Sequence, residues 1–188
     1  MQRTTNASDA GWRHALWLAV LVAASVAFTF GFACAVPFAA FGAATALTLD
    51  TRDALLLTAA MWLANQMIGF GFLHYPWDAS TLTWGAVLGG AAVLSTLAAR
   101  ATGARMCNAH WSVAVVASFA AAFAAYEGSL YLVAAAWLGG TEDFASAIVF
   151  YILELNVAAC VGLLVLNRLG EAVGLSPALS LRLAARHA

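Results

Sequence analysis

FASAIVFYILELNVAACVGLLVLN, residues Phe144 to Asn167, is a run of 24 residues with one charge in it, Glu154. About 20 apolar residues suffice to cross a hydrocarbon core of about 30 Å as a helix. This run therefore reads as a transmembrane helix that carries a carboxyl deep inside the bilayer. The rest of the chain has the same character. Of 188 residues, 64% are hydrophobic and 9% are charged, against roughly 25% charged in an ordinary globular domain. Mean hydropathy is +0.87 over the whole length, so lipid is the solvent for nearly all of the fold.

Working back from this run, Gly139 to Asp143 forms a polar turn, and Trp111 to Leu138 reads as a long fifth helix, tilted or projecting beyond the lipid. Thr81 to Ala99 and Ala54 to His74 form a hairpin closed by Tyr75 to Ser80. An apolar stretch from His14 to Phe32 is the first helix. It exceeds the usual 7–15-residue core of a signal peptide, so the small residues Ala33, Cys34 and Ala35 are not read as a cleavage site. Pro37 opens the remaining apolar run, which ends at Leu49. Its roughly 13 residues make about 20 Å of helix, short of the bilayer by about 10 Å. The turn from Cys34 to Pro37 should then dip below the outer surface. The fold expected is all-α, a bundle of six transmembrane helices with the second short or partly re-entrant. Its parts are a tail over residues 1–13, a membrane domain over 14–167 and an amphipathic surface tail over 168–188.

Arginine placement supports six crossings. With both termini cytoplasmic, Arg3, Arg13, Arg52, Arg100, Arg105, Arg168, Arg182 and Arg186 all fall on the inner side, as the positive-inside rule requires. The loop from Arg100 to His110 reads as a topology determinant. Basic residues that are all Arg, among Ala-rich helices, point to a bacterial inner membrane. The net charge of -1 and the scattered cations exclude nucleic acid as a partner. Three separated cysteines form no disulfide framework or zinc motif.

Ionisable groups at membrane depth are functional candidates by default. Glu127 lies about 18 Å below the outer turn and Glu154 about 15 Å below it, at helical rise. Asn65, Gln66 and Asn156 fall near the same depth. Together these five suggest a polar layer that binds a solute or couples to protons, or else a layer of interhelical hydrogen bonds. Either use requires both glutamates to face the bundle interior. A carboxyl facing lipid would favour the purely structural reading.

At the outer end, His74, Tyr75, Trp77 and Asp78 surround Pro76 and form a candidate rim for ligand entry, or an interfacial aromatic belt. His74 with Asp78 could also ligate a metal. Ala19, Ala23 and Ala27 line one stripe of the first helix, where small residues allow a partner helix to approach.

No nucleotide loop, zincin, nucleophile-elbow or dinucleotide motif is present, and His14, His74, His110 and His187 lie outside the spans. The chain is therefore read as non-enzymatic, with no cofactor. Its length, six compact helices, alanine stripe and outward-reachable polar groups resemble the substrate-binding subunits of energy-coupling-factor vitamin transporters. The architecture also resembles small bacterial cobalt or nickel uptake proteins, although the His-rich signature of the latter is missing. The resemblance implies a membrane component of small-solute uptake with an outward-facing pocket, energised by partner membrane subunits and docked through Ala19, Ala23 and Ala27. A non-catalytic assembly or accessory protein with a structural polar layer is the alternative, and an intramembrane enzyme using a Glu as acid or base is a third.

Overall fold

The computed structural model describes residues 7–32, 36–106 and 108–176. All of its regular elements are helical. They are α1 (Ala7–Phe32), α2 (Phe38–Thr48), α3 (Thr51–Gly71), α4 (Ala79–Arg105), α5 (Trp111–Val133) and α6 (Ser146–Ala172). A π-helical turn, Ala134–Leu138, prolongs α5, and a 3-10 turn, Thr141–Phe144, precedes α6. Five helices are long and apolar enough to cross a membrane, and α2 is not among them.

Several boundaries differ from those the sequence suggests. α1 begins inside the polar N-terminal segment, and α4 runs on through Arg100 to Arg105. α6 continues through Arg168 to Ala172, so the residues read as the start of a surface tail are its last turn. Polar residues at these ends do not stop a helix, because nothing there breaks its hydrogen bonding and water satisfies the exposed groups. Cys34, Cys107, Arg3, Arg182 and Arg186 lie outside the described residues.

α2 is the axis of the bundle. All 11 of its residues are buried, and it packs against α3, α4, α5 and α6. FAAFGAATALT is apolar or small on every side, as a helix enclosed by others must be. Its small residues let neighbours come close. A Cβ on Gly42 would stand 3.1 Å from Ser95 Oγ and 3.2 Å from Thr96 Oγ1 of α4. At 1.5 Å per residue α2 is about 16 Å long, roughly half the hydrocarbon thickness. Val36 and Pro37, which lead into it, are buried. That part of the turn after α1 therefore lies inside the bundle, as the shortness of α2 demands.

The remaining helices surround this axis, with α1, α3 and α5 starting at one end and α4 and α6 finishing there. His14 on α1 pairs with Asp53 on α3, and Arg13 donates to the Gly174 carbonyl beyond α6 (3.3 Å). Arg100 on α4 donates to the Leu49 carbonyl at the end of α2 (3.1 Å). Arg168 on α6 sits over the Trp111 ring at the start of α5, 5.6 Å from its centroid. These contacts join one end of the bundle and gather Arg13, Arg100 and Arg168 there, with Arg52 in the first turn of α3. At the opposite end Phe30 meets Phe72, ring centroids 5.8 Å apart.

Candidate functional site

The N-terminus of α2 stands in the middle of the bundle. The first amides of any helix have no partner within it, and at membrane depth water is not there to supply one. Pro37, the N-cap residue, offers no side-chain acceptor. Asn156 of α6 supplies it: its Oδ1 accepts from the Ala40 amide at 3.1 Å. Its Nδ2 donates to the Ile152 carbonyl at 2.9 Å, and the residue is only 1% exposed. The oxygen of this carboxamide thus joins α6 to α2, while its nitrogen bonds back along α6 and holds the side chain in place.

That anchor decides where Glu154 points. Residues two apart on an α-helix lie about 200° apart around it. With Asn156 turned toward α2, Glu154 is turned away, and it is exposed. This corrects the expectation that both glutamates face the interior. Glu127 does face inward. It is 9% exposed and follows Tyr126, whose ring packs on Phe38 at the start of α2 with centroids 5.9 Å apart. Among the described residues the Glu127 carboxyl has no hydrogen-bond partner. α5 and α6 meet only slightly, because α2 lies between them. The two carboxyls therefore do not form a pair.

Asn65 and Gln66 are partly buried on α3 and bond to each other, Gln66 Nε2 to Asn65 Oδ1 at 3.3 Å. Gln66 packs onto Gly85 of α4, where a Cβ would stand 2.6 Å from its Oε1. The indole of Trp62 donates to the Gly85 carbonyl at 2.7 Å. Gly85 thus makes room for Gln66, and Gly89, where a Cβ would stand 2.8 Å from the Trp62 ring, makes room for Trp62. The polar groups form separate interhelical joints rather than one layer.

Two further joints escaped the sequence reading. Thr58 and Thr96 share a buried hydrogen bond of 2.9 Å between α3 and α4. Ser95 donates to the Ala122 carbonyl of α5 at 3.0 Å. Thr and Ser in apolar helices are too common to single out, and only their facing one another across a crossing would mark them.

The outer rim is a helical hairpin turn. The Asp78 carboxylate caps α4 by accepting from the Thr81 amide at 2.8 Å. That bond, with a second from the Thr81 side chain, holds its pKa below the ordinary value of 3.8. Tyr75 lies on Gly69, where a Cβ would stand 2.8 Å from its ring. Trp77 is 75% exposed and stacks on Phe70, centroids 4.6 Å apart. His74 is exposed and takes a left-handed backbone, φ 57°. No group of three or more His, Cys, Asp or Glu able to hold a metal occurs among the described residues.

A groove of about 570 Å³ opens between α3 and α4, walled by Ala59, Trp62, Ala86, Gly89 and Leu94. Its polar member, Thr58, already donates to the Ala54 carbonyl at 2.8 Å. Such a wall suits an acyl chain better than a charged solute. Ala19, Ala23 and Ala27 are all exposed along α1. No protein-family model, curated protein or solved structure matches this chain.

Proposed function

We propose that this chain is a non-catalytic assembly or accessory component of a bacterial inner membrane, working by lateral association with other membrane helices. The observation behind this choice is the opposition of Asn156 and Glu154. The asparagine caps α2 through its Oδ1 and bonds back along α6 through its Nδ2, and the glutamate two residues away faces out of the bundle. Of these two residues at membrane depth one thus holds helices together and the other looks outward, and they do not converge on a pocket. On this reading both termini are cytoplasmic, which the gathering of Arg13, Arg52, Arg100 and Arg168 at one end supports. The chain enters α2 from the far end and leaves it at the arginine end, which supports a sixth crossing completed partly without helix.

A second reading, uptake of a small solute with energising partner subunits, keeps one supporting observation. Glu127 is buried on α5, and a carboxyl held within a bundle at membrane depth is the kind of group that binds a cation or carries a proton. The two readings separate on solubilising native membranes in mild detergent and sizing the particle. The assembly reading expects a particle larger than one chain of 19.5 kDa, unaffected by Glu127→Gln. A lone monomer carrying a small solute that Glu127→Gln abolishes would replace it with the uptake reading.

A further inference from the structure

Ala147, Tyr151, Glu154, Ala158, Val161 and Val165 are all exposed on α6, and their spacing alternates four, three, four, three, four. That is the stripe along which two helices pack with a left-handed crossing. From Ala147 to Val165 it runs about 27 Å at helical rise, nearly the full hydrocarbon thickness. Apart from Tyr151, which lies within two turns of the outer end of α6, the rest is small or apolar, and the one acidic group that lipid cannot satisfy is the Glu154 carboxyl.

We propose that this face of α6 docks against α6 of a second copy of the chain, with the two Glu154 side chains hydrogen-bonded to each other. The proposal rests on the lateral-assembly reading and names the partner. Copies inserted in the same direction are related by a two-fold axis along the membrane normal, the commonest symmetry of homo-oligomers. That axis brings Glu154 opposite Glu154 at the same depth. A neutral carboxyl has one O–H donor and an acceptor oxygen, so two of them satisfy one another and no other chemistry is needed. Ala158 one turn below lets the backbones approach, as small residues do at membrane helix crossings. Val161 and Val165 then close the seam toward the cytoplasmic end.

Arg168 continues the spacing, and two guanidinium groups facing each other would oppose pairing. It is drawn to its own chain instead: Nη1 bonds to Glu171 Oε2 at 3.0 Å, and the group lies over the Trp111 ring. The charge at the end of the seam is thereby matched within each copy.

Energy transfer between dye-labelled copies of the purified chain in lipid vesicles, measured across protein-to-lipid ratios, tests this. The wild type should associate reversibly, and Glu154→Gln should associate comparably, because a carboxamide also donates and accepts. Glu154→Leu should weaken association about three- to twentyfold for each hydrogen bond lost, and Ala158→Phe should block it while circular dichroism shows the helices intact. A wild type that stays monomeric at every ratio, or a Glu154→Leu variant that associates as tightly as wild type, would overturn the proposal. If the native-membrane particle is larger than one chain while the purified chain stays monomeric, a different partner covers α6, and the second copy is rejected with the assembly reading intact. A monomer in both settings rejects both.

Discussion

Replacing Asn156 by Leu keeps roughly the same side-chain volume and removes the hydrogen bond that joins α6 to α2, together with the side chain's bond to Ile152 within α6. The Ala40 amide, now 3.1 Å from Asn156 Oδ1, would be left inside the bundle at the first turn of α2. Loss of a helix cap costs about 0.5–2 kcal/mol, and stranding a buried donor costs about 1–3 kcal/mol. Single hydrogen bonds between membrane helices average only about 0.6 kcal/mol and reach about 1.7. These ranges describe overlapping parts of one loss, so the expected destabilisation is about 1–3 kcal/mol. Reversible unfolding in mixed detergent micelles, followed by circular dichroism, reads it as an earlier midpoint. Glu154→Leu, two residues away on the opposite face, is the matched control and should leave the stability of the monomer unchanged or slightly raised. Equal stability of Asn156→Leu and wild type, or an equal loss in both variants, would refute the assignment of Asn156 as the cap and of Glu154 as the outward group.

Two other consequences concern the bundle's ends. A Cβ on Gly170 would meet the Trp17 ring at 2.8 Å and the Ser176 Cβ at 3.0 Å, and Trp17 is only 2% exposed. Gly170→Ala should therefore destabilise by about 1–3 kcal/mol through overpacking, measured by the same unfolding titration. Gly162→Ala on the same helix, where a Cβ meets nothing within 4 Å, should not. The Asp78 cap gives a pH signature. Because its folded pKa is depressed by the Thr81 amide, its contribution is present above the ordinary aspartate range and is lost as pH falls through the lower folded value. Protection of the Thr81 amide from hydrogen exchange, corrected for intrinsic rate, should fall over that acidic interval in wild type and stay flat in Asp78→Asn.

The five long helices were legible in the sequence because runs of twenty apolar residues have no other stable use. The clustering of Arg13, Arg52, Arg100 and Arg168 was legible as well, since alternating helices bring every second loop to one end. The shortness of α2 was visible from Pro37 to Leu49, but its position at the centre was not drawn from it. FAAFGAATALT lacks any polar or bulky aliphatic face, and that uniformity was the available sign of burial on all sides. For Glu154 the sequence gives depth without direction. Glu154 and Asn156 share a level, yet two residues make about 200° of helix, so only one of them can face inward. Which one does so depends on α2 ending at mid-depth beside α6, a tertiary fact. The α3–α4 joint was hidden for the same kind of reason, since a glycine in an apolar helix reveals nothing about its neighbour across the crossing, Gln66 at Gly85 and Trp62 at Gly89.

The central claim is that the two membrane-depth carboxyl positions face different surroundings, one inside the bundle and one toward lipid. It is tested most directly by nitroxide labels placed at residue 154 or residue 127 in a cysteine-free background, with one copy per lipid nanodisc so that no second α6 covers the label. Electron paramagnetic resonance should find residue 154 as accessible to dissolved oxygen as a lipid-facing control at Val116, and residue 127 shielded. Low oxygen accessibility at residue 154, equal to that at residue 127, would contradict the account and return both carboxyls to a shared interior site.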